Sequence, residues 1–218
     1  MRRPDAVGWS KPLVALLALM PLVLLVLAVL HDTLGPDPVS RLEKHTGIWA
    51  LRLLLLTLAI TPLRRITGWS ALLRYRRMLG LFTFFYATVH LTVYLVIDLG
   101  GFWSQIFTEI AKKPYITVGF AAWLLLIPLA LTSTRGMMRR LGRRWGQLHK
   151  LVYLIGVLAV LHYLWQVKFG QTIAVRQPVV YAAILAALLL ARWRPRRQAM
   201  AISARRAPGR SPAPAPPP

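Results

Sequence analysis

The chain of 218 residues contains no cysteine, and only 6 residues are Asp or Glu. Without thiols there is no disulfide framework, no thiolate metal site, no Cys-held iron–sulfur cluster and no Cys nucleophile, so redox chemistry would need a bound cofactor. G-x-G-x-x-G, Walker and H-E-x-x-H sequences are also absent, which excludes an encoded nucleotide-binding loop or zinc-protease unit. Charge of either sign is scarce, at 16% of residues against 56% hydrophobic, and mean hydropathy is +0.53. A soluble domain of this length could not hide so much apolar surface from water.

What charge there is has one sign, 28 Lys plus Arg giving a net +22. A nucleic-acid binder would spread such residues over polar, aromatic-studded surface, whereas here they lie between long uncharged runs. Crossing about 30 Å of hydrocarbon takes roughly 20 apolar residues in a helix. Six runs qualify: 12–30, 47–63 (interrupted by Arg52), 78–97, 115–134, 151–167 and 178–191. They are Leu- and Ala-rich without the alternation of a membrane barrel, so the expectation is an all-α bundle of six transmembrane helices occupying 12–192. The first run could imitate a secretory signal but is long for one and lacks a clear small-x-small cleavage site, so it reads as a retained helix. Residues 193–218, basic and then Pro-rich, read as a disordered tail. No internal repeat is visible, and no connection is long enough for a soluble domain.

Sidedness follows from the connections. Three Lys or Arg precede the first run, five lie in 64–77, six in 135–150 and seven at the C-terminus, while 31–46, 98–114 and 168–177 hold two each. Five of the six acids, Asp32, Asp37, Glu43, Asp98 and Glu109, fall in the second group. The positive-inside rule then puts residues 1–11 and the tail in the cytoplasm.

Of the five histidines, His31 and His45 lie in the first outer connection, where an imidazole costs nothing. His90 and His162 lie within uncharged spans, where an ionisable side chain must find a partner and marks a functional site. Counted from the cytoplasmic ends of two parallel helices they stand about 18 and 21 Å up, at nearly one depth. Two facing imidazoles there could supply both axial ligands of a haem, an arrangement suited to electron transfer. They could equally hydrogen-bond to neighbouring helices or line a proton path, as in a proton-coupled transporter. His149 begins the fifth span 13 residues below His162. A haem there would need a partner at Arg76 or Arg77, which cannot ligate iron, so His149 stands as an alternative ligand, a contact to a second cofactor or an interface residue.

Arg52 could pair with haem propionates or snorkel to headgroups. Arg74, Tyr75, Arg76 and Arg77, with the stretch 139–150, suit a quinone or flavin phosphate, and equally anionic lipid. Tyr86, Tyr94 and Trp165 lie near the histidines and could pack on a haem ring. Pro21 and Pro128 are expected to kink their spans.

The stretches ALRLLLLTLAITPLRR (50–65), YRRMLGLFTFFYATVHLTVYLVIDL (75–99), ITVGFAAWLLLIPLALTS (116–133) and RRLGRRWGQLHKLVYLIGVLAVLHYLWQVK (139–168) resemble the MsrQ (YedZ) family, the haem-binding membrane subunits of protein-methionine-sulfoxide reductase systems within the ferric-reductase-like transmembrane family. The likeness covers roughly 45–170. It implies a six-helix cytochrome b binding haem b, with FMN also attributed to the family, at His90, His149 and His162. It further implies electron delivery from the quinone pool or a cytoplasmic flavin reductase to MsrP, a periplasmic molybdenum enzyme that reduces methionine sulfoxide in damaged proteins. On this reading the chain is an electron-transfer component with no catalytic residue of its own. Arg76 and Arg77 stand where wider relatives carry an inner histidine, which argues against a two-haem wire. A proton-coupled transporter and a colourless scaffold are the competing classes; a transporter would be expected to show pseudo-symmetric halves or broken helices.

Overall fold

The structure, a computed structural model, describes residues 6–167 and 172–193. The expected tail, apart from residue 193, and the first five residues lie outside the described residues. Every element described is helical: α1 (Ala6–Leu30), α2 (Pro38–Thr67), α3 (Leu73–Thr92) after the 3-10 turn Ser70–Leu72, α4 (Trp103–Lys112), α5 (Pro114–Leu131), α6 (Arg135–Leu141), α7 (Arg143–Leu148), α8 (Leu151–Gln166) and α9 (Thr172–Trp193). Among the described residues, six helical stretches are long and apolar enough to cross a membrane. The protein is therefore an all-α, multi-pass membrane protein, the architecture expected from the hydrophobic runs.

Local chemistry explains where the helices begin and end. The Asp37 carboxylate accepts from the Ser40 amide at 3.1 Å, and Pro38 at the first helical position has no N–H to strand. Gly68 closes α2 in the left-handed conformation, φ 72°, its amide bonded to Arg64 O at 2.9 Å. These signals lie outside the apolar run, so α2 has 30 residues, about 45 Å, and overshoots the hydrocarbon.

Three features depart from the hydrophobic runs. Helix α9 begins before Pro178 and passes through it, whereas the uncharged run starts there; a helix packed among others tolerates proline because its neighbours satisfy the freed backbone groups. Past His90 the third span loosens into a π-helical segment, Val93–Asp98. Inside the connection 98–114, α4 is amphipathic, with Ile106 buried. The Lys113–Glu109 ion pair closes its last turn, and a hydrogen bond from the Thr117 hydroxyl to Ile110 O ties it to α5. Glu109, bonded to the ammonium, holds Lys113 protonated above its ordinary range.

The packed centre is leucine-rich. Leu51, Leu54, Leu55 and Leu58 of α2 meet Ala122, Leu126 and Leu129 of α5, Val152, Ile155 and Val160 of α8, and Leu185 of α9. Helix α1 leans on α2 and α3 from outside, joined through Ala18, Leu53 and Tyr86. Its remaining faces, Leu16 at 65% and Leu30 at 73% exposed, are left for lipid. Arg192 clamps α9 to the core: one guanidinium nitrogen donates to Leu58 O at 3.1 Å and Thr61 Oγ1 at 2.7 Å, another to the Tyr153 hydroxyl.

Candidate cofactor site

At the end of the bundle opposite the Arg-rich connections, α2, α3, α5 and α8 enclose a cavity of about 220 Å³. Its walls are apolar and aromatic, with Leu51, Leu54, Leu91, Ile116, Leu126 and Ala159 joined by Phe120, Trp123 and Tyr163. Its mouth is polar, formed by Glu43, Lys44, Asp98, Lys113 and Gln166. Both intramembrane histidines line it, and their ring centres lie 6.2 Å apart with planes 70° to one another. The matched depth read from the sequence is thus a contact in space.

Each ring is held by its Nδ1. His90 Nδ1 lies 3.1 Å from Glu43 O, and His162 Nδ1 lies 2.6 Å from Tyr115 O. A carbonyl oxygen only accepts, so both Nδ1 atoms carry the proton and both Nε2 atoms keep a bare lone pair. Thr46 lies 3.4 Å from His90 Nδ1, but its hydroxyl already donates to Leu42 O at 2.8 Å. A metal-binding imidazole is oriented in this way, by a backbone carbonyl on the nitrogen that does not ligate.

The spacing also fits one metal between the rings. Two metal–imidazole bonds of about 2.0 Å, with the rings' own radii, require centres roughly 6 Å apart. Among the described residues no group of three or more His, Cys, Asp or Glu could hold an ion alone, so the remaining donors would have to come from a ligand such as a macrocycle. At the mouth, Glu43 Oε1 and the Tyr94 hydroxyl are buried without a hydrogen-bond partner, and the hydroxyl is a donor that an acidic edge of a bound group would satisfy.

The other expected site residues are elsewhere. His149 lies at the opposite end of the bundle against Trp145, ring centres 4.0 Å apart, with Nε2 3.2 Å from Thr132 Oγ1. Thr132 gives its own proton to Pro128 O at 2.6 Å, so His149 Nε2 is the donor and is not free to ligate. Arg52 does not line the cavity: it donates to the Tyr181 hydroxyl at 2.9 Å and lies over Trp49, 4.9 Å from the ring centre. Arg77 is exposed at the far end of α3. His31 is exposed, and His45 is tilted against Trp49 with ring centres 6.4 Å apart. Of the three nearby aromatics, Tyr94 lines the cavity, Tyr86 points to α1, and Trp165 is 46% exposed. Sequence reasoning missed Gly47 and Gly119, which also line the cavity.

Fold and site together define a multi-pass membrane protein whose helices present paired imidazoles in an apolar chamber. Residues 46–160 match the ferric reductase like transmembrane component. Three curated relatives carry the name protein-methionine-sulfoxide reductase heme-binding subunit MsrQ. One from Xanthomonas campestris pv. campestris (strain B100) is 62% identical over 85% of this chain and 81% of its own. One from Xanthomonas oryzae pv. oryzae (strain MAFF 311018) is 57% identical over 94% and 93%, and one from Ralstonia nicotianae (strain ATCC BAA-1114 / GMI1000) is 49% identical over 91% and 93%. No solved structure gives a significant match. The chain belongs to the MsrQ family of ferric-reductase-like transmembrane proteins.

Proposed function

We propose that the chain is an inner-membrane cytochrome b that carries electrons outward, from quinol or reduced flavin, to a periplasmic molybdenum-containing methionine sulfoxide reductase of the MsrP kind. The observation that carries this reading is the pair of imidazoles at 6.2 Å, each with Nδ1 bound to a carbonyl and Nε2 bare. The relatives named as haem-binding subunits support it. A haem held by this pair would supply a one-electron carrier.

The chain's own residues set its surroundings. His90 and His162 would hold the haem iron, each imidazole fixed in tautomer and direction by Glu43 O or Tyr115 O. Phe120, Trp123 and the leucines would keep water from a bound haem, and Tyr94, Lys44 and Lys113, which also line the cavity, would offer donors to its acidic groups. The donor is received at the Arg-rich end, where His149 and Trp145 lie; an FMN, if carried, belongs there too. Both termini are cytoplasmic, which puts the cavity mouth on the periplasmic side.

The test is a spectrum. Protein purified in detergent after expression with adequate haem supply should show a sharp reduced α-band at one haem per chain. Two equivalents would mean that a second pair of ligands exists. A colourless protein would sink the cytochrome reading and leave the histidines as relay groups.

A further inference from the structure

Behind each imidazole lies a glycine of the neighbouring helix. A Cβ added to Gly47 of α2 would meet His90 Cε1 at 3.1 Å and Nδ1 at 3.2 Å. One added to Gly119 of α5 would meet His162 Nδ1 at 2.7 Å, Cε1 at 2.9 Å and Cγ at 3.1 Å. The carbonyl that takes each Nδ1 proton belongs to the residue four before that glycine, and in both cases histidine and carbonyl are 47 residues apart. Glu43, Gly47 and His90 are followed after the same 72 residues by Tyr115, Gly119 and His162. One device is built twice, once between α2 and α3 and once between α5 and α8.

We propose that Gly47 and Gly119 are positioning residues that seat the two ligating imidazoles, Gly119 the stricter of the two; this rests on the haem reading above. On helix propensity alone alanine would be favoured at both positions. The missing side chain lets the imidazole lie against the helix backbone, close enough for Nδ1–H to reach the carbonyl one turn away. At Gly47 a methyl group requires His90 to give by a few tenths of an ångström. At Gly119 it falls on Nδ1, the atom that bonds Tyr115 O, so His162 must leave its seat, lose that bond and turn its Nε2.

The experiment compares the full-length protein with Gly47→Ala, Gly119→Ala and, as a control, Gly80→Ala, whose added Cβ would meet only Thr57 Cγ2, at 3.8 Å. Haem per chain, the electron paramagnetic resonance g-values of the oxidised form and the midpoint potential are read on protein whose helicity and elution match wild type. Gly80→Ala should match wild type throughout, and Gly47→Ala should keep its haem with shifted g-values. Gly119→Ala should retain roughly tenfold less low-spin haem, the cost of overpacking a rigid contact. Wild-type haem content and g-values in both seat variants would overturn the proposal while leaving the haem reading intact. If Gly119→Ala does not fold, unchanged g-values in Gly47→Ala overturn it. A colourless wild type would overturn the haem reading itself.

Discussion

Replacing Tyr86 by Phe separates what holds the bundle from what holds the cofactor. Tyr86 is wholly buried, at 0% exposure, and its hydroxyl donates to Ala18 O at 2.8 Å while accepting from Leu22 N at 3.2 Å. Ala18 and Leu22 are one turn apart on α1, so the hydroxyl bridges the carbonyl and the amide of a single turn, beside the proline at position 21. Phenylalanine keeps the ring and opens no large cavity, so the loss is confined to two interhelical hydrogen bonds. Such bonds average about 0.6 kcal/mol in membranes and reach about 1.7. Two of them give an expected loss of about 1–2 kcal/mol. Unfolding in mixed micelles by a denaturing detergent, followed by circular dichroism, would measure it. The haem spectrum should stay unchanged, because Tyr86 faces α1 and does not line the cavity. A stability change below about 0.3 kcal/mol would refute the hydroxyl-bridge account; a collapsed spectrum at unchanged stability would show that Tyr86 belongs to the site.

His90→Ala and His162→Ala should each abolish the low-spin haem spectrum in folded protein, and a full spectrum in either would reject the axial assignment. His149→Ala should retain one haem equivalent, since its Nε2 is engaged with Thr132; loss of the absorbance would return it to the ligand set. Arg52→Ala removes an exposed contact to Tyr181 and Trp49, so it should cost less than about 1 kcal/mol and leave the midpoint potential where it was. A shifted potential would place Arg52 within reach of the haem carboxylates after all.

The spans and the depth of the two histidines were legible because the membrane imposes a length on apolar runs, and counting residues along straight helices preserves height. Rotation about the helix axis was not legible. Each residue turns the helix by about 100°, so whether Arg52 faces the cavity or Tyr181 depends on how α2 packs against α9, which hydropathy does not encode. The passage of α9 through Pro178, and the π-helical turn beyond His90, likewise depend on neighbouring helices. The 72-residue repeat escaped notice because only a few of its positions require a particular residue, a glycine and a histidine among them. Between these, any apolar side chain of suitable volume packs equally well, and the two halves share little else.

Each seat and its histidine belong to adjoining helices of one pair, α2 with α3 and α5 with α8. Neither half therefore needs the other to orient its imidazole. As the chain is threaded into the bilayer, the first pair can insert and lock its ring before the second has left the ribosome. What remains is lateral association of two finished halves, the second stage of membrane-protein folding. Assembly of the centre is then a docking of two faces, and a sequence change that spoils one seat should leave the hydrogen bond of the other seat in place.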